Sequence, residues 1–414
     1  MTKVDLWAAE FQKDPYPAYA RLRAAAPVHR MTGPLGADFW LVTRYEDARG
    51  ALSDPRLSKE PRHLPEWLRR VGSASEDEGP SGKNMLSSDP PDHTRQRRLV
   101  SRAFTRRRIE ALGPRVQQIT DGLLDAMEGH EEADLIASFA VPLPVTVICE
   151  LLGLPEADRD RLHAWTDHLE RPTFTEADVE ARKRAAAEFR AYAVSRLAEL
   201  RSNLDPDLPA EEQPGLLASL IASAEAGDGL SELELVGMTL LLTIAGHETT
   251  VNLIGNGMLA LLTNPDQMKL LRSEPSLLGP AIEEMLRYDG PVERSTIRVA
   301  TEDVEIGGVT VPAGSVVYVS LNSADRDGTR FPDPDRFDVT RFADGGEAGH
   351  VAFGHGVHFC LGVQLARLEG RIAFTSLLRR FPRIELACAP EELRWRGSGD
   401  SILRGLAGLP VRLR

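Results

Sequence analysis

Phe353-Gly354-His355-Gly356-Val357-His358-Phe359-Cys360-Leu361-Gly362 is a glycine-rich loop that delivers one cysteine to the start of a helix. The run that follows, 361–381, carries Leu365, Leu368, Ile372, Phe374, Leu377 and Leu378 at helical spacing. Cys360 is therefore expected at or just before a helix N-terminus. A thiolate there faces unpaired backbone N–H groups and the positive end of the helix dipole, which is expected to lower its pKa. Gly354, Gly356 and Gly362 let the backbone turn sharply and approach something flat. A buried structural cysteine in a turn is the plainest account of the stretch. Zinc is a second account, because His350, His355, His358 and Cys360 crowd together. The ligand pairs nevertheless lack finger or ribbon spacing, and no second cysteine is near.

Working outward, 414 residues can bury a large core, and 42% hydrophobic with 27% charged residues is ordinary globular composition. A formal charge of −13 argues against nucleic acid or an anionic membrane as the main partner. Cys149 lies in an apolar helical run and Cys388 in a short strand-like one, so both read as inert thiols in a reducing, cytoplasmic setting. Lys3, Asp5 and Glu10 interrupt any apolar leader, and no run approaches the ~18–20 apolar residues of a membrane span.

Along the chain, 17–26 reads as a helix and 39–43 as a strand. The stretch 61–84, rich in Pro, Gly, Ser and the acids Glu76, Asp77 and Glu78, reads as a long mobile loop. Asp92 is placed to cap a helix beginning at His93, and His93 and Arg97 share one face of it. Seven arginines and no acid fall between 93 and 108, a local reversal in an acidic chain. Helical patterns cover 116–127, 140–152, 155–169 and 176–200, and the polar patch 203–215 connects helices. Ser231-Glu232-Leu233-Glu234 reads as the capped start of the longest helix, ending near 262. That helix is apolar on nearly every face, so Ala245-Gly246-His247-Glu248-Thr249-Thr250 violates its local rules, as functional residues do. Short β-like runs follow at 296–299, 304–306 and 315–319.

Haem with a proximal thiolate is the third account of the cysteine loop. The ten residues match F-G-x-G-x-H-x-C-x-G, the haem-binding loop of the cytochrome P450 monooxygenases, at every fixed position. The chain resembles that family from Asp14-Pro15-Tyr16-Pro17 to the C-terminal Arg404-Gly405-Leu406. The resemblance implies a single P450 domain over 1–414, mainly α with a smaller β-rich portion, its long central helix crossing a buried haem b. It makes Cys360 the axial ligand of the haem iron, on a loop with Phe353, Gly354 and Gly362. It assigns His93, Arg97, Arg298 and His358 to the haem propionates. Ala245 and Gly246 would flank the distal face, Gly246 leaving room for O2, while Glu248 and Thr249 form the proton-delivering acid–alcohol pair. Glu284 and Arg287, with Arg336 downstream, resemble the family's buried Glu-Arg-Arg network. Asp325 stands where many relatives carry Asn, and no functional change is attached to it.

The chain has neither a Rossmann fingerprint nor the cysteines of an iron–sulfur cluster, so electrons must come from another protein. A ferredoxin served by an NAD(P)H-dependent reductase is expected to dock on Arg95, Arg98, Arg102 and Arg106 of a monomeric enzyme. The runs 141–148 and 245–265 are most similar to bacterial enzymes of secondary metabolism that hydroxylate macrolides, although very similar enzymes oxidise secosterols. Leu86, the segment 169–174, Ile244, Val292, Glu293 and Ile402 are the expected pocket walls for a bulky lipophile. Hydroxylation or epoxidation of a macrolide or polyketide is the primary expectation, and a steroid or secosterol hydroxylase the alternative. A haem sensor or electron carrier would need no acid–alcohol pair.

Overall fold

The computed structural model describes residues 4–413 apart from 34–35, 37, 73–81, 171–174, 228, 346–347 and 397–400. Glu76, Asp77 and Glu78 therefore lie outside the described residues. Seven strands bear on the site: β1 (Val28–Thr32), β2 (Asp38–Val42), β3 (Leu57–Ser58), β4 (Arg298–Ala300), β5 (Val316–Val319), β6 (Trp395–Arg396) and β7 (Gly405–Leu406). The first five form one sheet in the order β1-β2-β5-β4-β3. Only β2 and β5 run parallel, with Leu41 opposite Tyr318; β4 pairs antiparallel with β3, Leu57 facing Ala300. That last pairing sets Arg298 of β4 beside the chain leaving β3 at Lys59. β6 and β7 form a separate antiparallel hairpin.

The helices that position the site are α1 (Asp92–Ser101), α2 (Pro142–Leu152), α3 (Arg159–Glu170), α4 (Glu232–Thr263), α5 (Leu278–Tyr288) and α6 (Val363–Arg380). α4 is the longest of the described helices at 32 residues, roughly 48 Å of rise. Its start is fixed as the sequence predicts. The Ser231 hydroxyl accepts from the Glu234 N–H, and the Glu234 carboxylate accepts from the Ser231 N–H at 2.9 Å. Glu234 also accepts from Gln96 at 3.2 Å and from Arg95, so α1 is pinned to the head of α4.

Two local expectations change, and the place of Cys360 does not. Within 61–84 the structure has a short turn at Pro61–His63 and a helix at Glu66–Gly72, where a loop was expected. Asp92 is the first residue of α1, not its cap; Pro91 precedes the helix without a side-chain bond. Cys360 lies two residues before Gly362, which caps α6.

The buried acid–base network corrects the choice of arginine. Glu284 and Arg287 are both fully buried and bidentate, at 2.6 and 2.9 Å. The third member is Arg341, whose Nε donates to Glu284 at 3.1 Å. Arg336, named from sequence, has a side chain 65% exposed and lies 3.7 Å from Asp338. It contributes only its carbonyl, which accepts from Arg287 and Arg341. Turns at 333–341 fold the chain back so that the later arginine reaches inward.

Removing one partner from a buried ion cluster strands the remaining charge. Arg341→Met is expected to cost about 2–3 kcal/mol in chemical denaturation, whereas Arg336→Ala should cost under ~0.5 kcal/mol.

Candidate functional site

The cysteine loop is folded by its own backbone. Gly354 and Gly356 adopt φ of +74° and +75°, a region L side chains avoid, which explains both glycines. The Gly354 N–H donates to Val351 O at 2.8 Å and the Cys360 N–H to Phe353 O at 2.9 Å, closing the loop under the thiol. Burial pushes the Cys360 thiol up. The Gly362 N–H and the Arg97 and Arg367 charges pull the other way without cancelling that effect, so the expected lowering is not reached.

Beside the loop is a cluster of cation-capable groups. His93 and Arg97 come from α1, Arg298 from β4, His358 from the loop, and Lys59 from the end of β3, a residue the sequence reading missed. Arg97 Nη2 donates to Phe359 O at 2.6 Å, tying α1 to the loop, and the His93 and His358 rings lie 4.4 Å apart. Burial, followed by mutual repulsion, lowers the pKa of Lys59, His93 and His358. Burial brings Arg298 to about 10. Nearby Asp89 is already held by the Ser58 hydroxyl at 2.5 Å and the Lys59 N–H at 3.2 Å. Both His93 ring nitrogens and the Arg298 Nε are buried without a partner among the described residues. Orphaned donors in a buried cationic cluster define an anion site.

On α4, the buried run breaks at Ile244, Ala245, Gly246 and Thr249, which are open or half-open in a helix otherwise closed on both sides. The Thr249 hydroxyl donates to Ala245 O at 3.0 Å. Gly246 has a packing reason beyond the expected room for O2: a Cβ there would sit 2.5 Å from Ile148 Cδ1 of α2. Glu248 is 1% exposed and fully engaged. Arg396 of β6 donates to its Oε2 at 2.7 Å; Thr166 donates to Oε1 at 3.2 Å, and His247 and His163 lie 3.2 and 3.3 Å from it. Burial alone would raise this carboxyl, but His163, His247 and Arg396 together hold it well below the usual carboxylate range. Sequence spacing carries no signal for Arg396, His163 or Thr166, which arrive from distant segments.

Other expected residues divide. Leu86, Ile244, Val292 and Ile402 are half-buried. Glu293 is not free for a ligand, because Tyr19 donates to its carboxylate at 2.5 Å. Residues 171–174 lie outside the described residues. Of the docking arginines, Arg95 is spent on Glu234 and Arg106 pairs with Glu110 at 2.7 Å. Arg98 and Arg102 are exposed, Arg102 beside a cleft floored by Leu99, Leu216 and Leu220. Val357 and Phe359 of the cysteine loop are exposed at 53% and 38%.

A glycine-looped thiol before a helix, a buried cationic cluster and an acid–alcohol pair on a long helix describe a haem-thiolate oxygenase. The cytochrome P450 family profile matches residues 162–391. The chain is 48% identical to vitamin D(3) 25-hydroxylase of Pseudonocardia autotrophica, over 99% of this chain and 96% of that one. It is 43% identical to 6-deoxyerythronolide B hydroxylase of Saccharopolyspora erythraea, over the full length of both. The crystal structure of myxobacterial cytochrome P450 CYP267B1 with myristic acid superposes with a TM-score of 0.90 at 44% identity, covering 99% and 98% of the two chains. The chain belongs to the cytochrome P450 family: it is a monooxygenase, an oxidoreductase whose family cofactor is haem b. The family requires a lipophilic substrate, O2 and electrons from a redox partner. No described helix is long and apolar enough to cross a membrane. The residues present fit haem b, since two propionates are the dianion that the orphaned His93 and Arg298 donors lack.

Asp325, the departure from the common Asn, supports the loop. Its Oδ1 accepts from the Val351 N–H at 2.7 Å, while Oδ2 is buried without a partner among the described residues. Burial pushes it up to about 7, against the opposing pull of His350, backbone N–H groups and Arg287. A folded-state value above the unfolded ~3.9 means that stability is lost as pH rises from about 4 to about 7. Asp325→Asn, a neutral isostere, should gain about 2–3 kcal/mol more over the native chain at pH 8 than at pH 5. Urea unfolding at the two pH values checks this.

Proposed function

We propose that the chain inserts one oxygen atom of O2 into a C–H or C=C bond of a bulky macrolide or polyketide, with electrons from a ferredoxin and its NAD(P)H-dependent reductase. The observation that carries the cofactor chemistry is the cationic cluster with unpartnered donors beside the Cys360 loop. Cys360 would ligate the haem iron, and His93, Arg97, Arg298, His358 and Lys59 would receive the two propionates. Bound haem supplies the iron centre that activates O2.

The chain's own residues do the rest. The Thr249 hydroxyl, on the open strip of α4, is placed to hold a proton beside the reacting oxygen, and it must leave Ala245 O to do so. Glu248 carries protons towards it only by loosening from Arg396, because a carboxylate held by a guanidinium at 2.7 Å is a poor proton donor. Leu86, Ile244, Val292 and Ile402 give the substrate an apolar wall and keep water from the distal side. Arg98 and Arg102 offer the acidic donor a positive rim, and Val357 and Phe359 an apolar centre at the loop that carries the thiol.

The relative named 6-deoxyerythronolide B hydroxylase, and one from Bacillus subtilis named a polyketide biosynthesis cytochrome P450, support the polyketide reading. An equally long relative named for vitamin D(3) supports a secosterol as the second reading. With haem bound, a substrate that fills the pocket would change the haem absorption spectrum. Titration with glycosylated macrolides, their aglycones and secosterols should give a saturable shift with the macrolide set. A shift with secosterols alone would overturn the substrate while leaving the haem chemistry standing.

A further inference from the structure

Glu248 sits beside two histidine rings. His247 Nδ1 lies 2.6 Å from Thr243 O, and a carbonyl only accepts, so Nδ1 carries a proton and Nε2 is the ring atom turned towards Glu248. That Nε2 is 3.2 Å from Glu248 Oε1. The Thr166 hydroxyl lies 3.0 Å from His247 Nε2, 3.2 Å from Glu248 Oε1 and 3.0 Å from His163 O, and its one proton can serve one of the three. His163 Nδ1 is 3.3 Å from Glu248 Oε1, yet it is buried and out of line for a hydrogen bond. Three ligand-capable atoms therefore come together at one point.

We propose that His163, His247 and Glu248 form a binding site for a divalent cation of the zinc type, whose occupancy holds the acid away from proton delivery. His163 Nδ1, His247 Nε2 and Glu248 Oε1 all lie within 4.8 Å of one another. Their separations of 3.2 and 3.3 Å to the carboxylate match the edge of a zinc tetrahedron with bonds of about 2.0–2.1 Å. Two histidines and a carboxylate are a ligand set that zinc takes, and the Thr166 oxygen or a water completes it. The surroundings orient the ligands as metal sites require. The Thr243 carbonyl fixes the His247 tautomer, and Arg396 holds Oε2 so that Oε1 faces the histidines. Arg396 also adds a repelling charge, which weakens cation binding there. An entry path exists at the side chains of His163, 24% exposed, and of Asp167 and Arg396, 22% and 27% exposed and 3.6 Å apart.

The site stands on geometry alone; only its inhibitory consequence rests on Glu248 serving proton delivery. Calorimetric titration of the haem-loaded protein with ZnCl2 reads the site without turnover. One zinc per chain is expected, weakened at least tenfold by His163→Asn and by Glu248→Gln. In turnover assays, zinc should inhibit the native enzyme at the concentration that saturates the calorimetric site and lose that effect in His163→Asn. Absence of saturable binding, or binding equally tight in His163→Asn, would overturn the site. Binding without inhibition would keep the metal site and overturn its link to proton delivery, which separates this inference from the monooxygenase reading.

Discussion

The ion pair between Glu284 and Arg287 is the contact from which the thiol loop is hung. Both side chains are fully buried, so each depends on the other and on the backbone groups around them. Arg287 donates to the carbonyls of Asp325 and Pro334 at 2.9 and 2.8 Å, and Glu284 accepts from the Asp338 N–H at 2.9 Å. Asp325 in turn accepts from the Val351 N–H, two residues before Phe353 starts the loop. A helix in the core thereby sets the position of Cys360 through one guanidinium and one carboxylate, with only turns and bends among the described residues of 325–352.

Two electrostatic arrangements flank that thiol and have opposite character. Beside the loop, Lys59, His93, Arg97, Arg298 and His358 repel one another in a buried space where Asp89 already has partners. On α4, Glu248 is over-supplied with cationic neighbours and held by Arg396. The first arrangement is built to receive a dianion. The second holds an acid in reserve, tied to α3 through Thr166 and to the C-terminal hairpin through Arg396. Ile402 follows that hairpin's first strand.

Signals that were local survived translation from sequence to structure. The capping box at Ser231 and Glu234, the glycines around Cys360, and the helical spacing after it depend on residues within a few positions of each other, and all are found. Apart from the Asp92 cap and the loop read over the helix at Glu66–Gly72, what failed depended on distance along the chain. Arg95 looked free on its helix face, but its partner Glu234 is 139 residues away. Glu293 looked available, but Tyr19 lies 274 residues earlier. Arg336 and Arg341 share a turn-rich stretch with no periodicity, so nothing local says which one folds inward. The thiol's pKa was read from the helix end alone, and burial outweighed it.

The central claim is that Cys360 holds haem iron as a thiolate. The direct measurement is the absorption spectrum of the reduced, carbon monoxide-bound protein, native and Cys360→His, under identical loading. A strongly red-shifted Soret band in the native protein, moved to the shorter wavelength of a histidine-ligated haem in the variant, is the expected result. An unshifted native band, or a red-shifted band that persists in Cys360→His, would contradict the account.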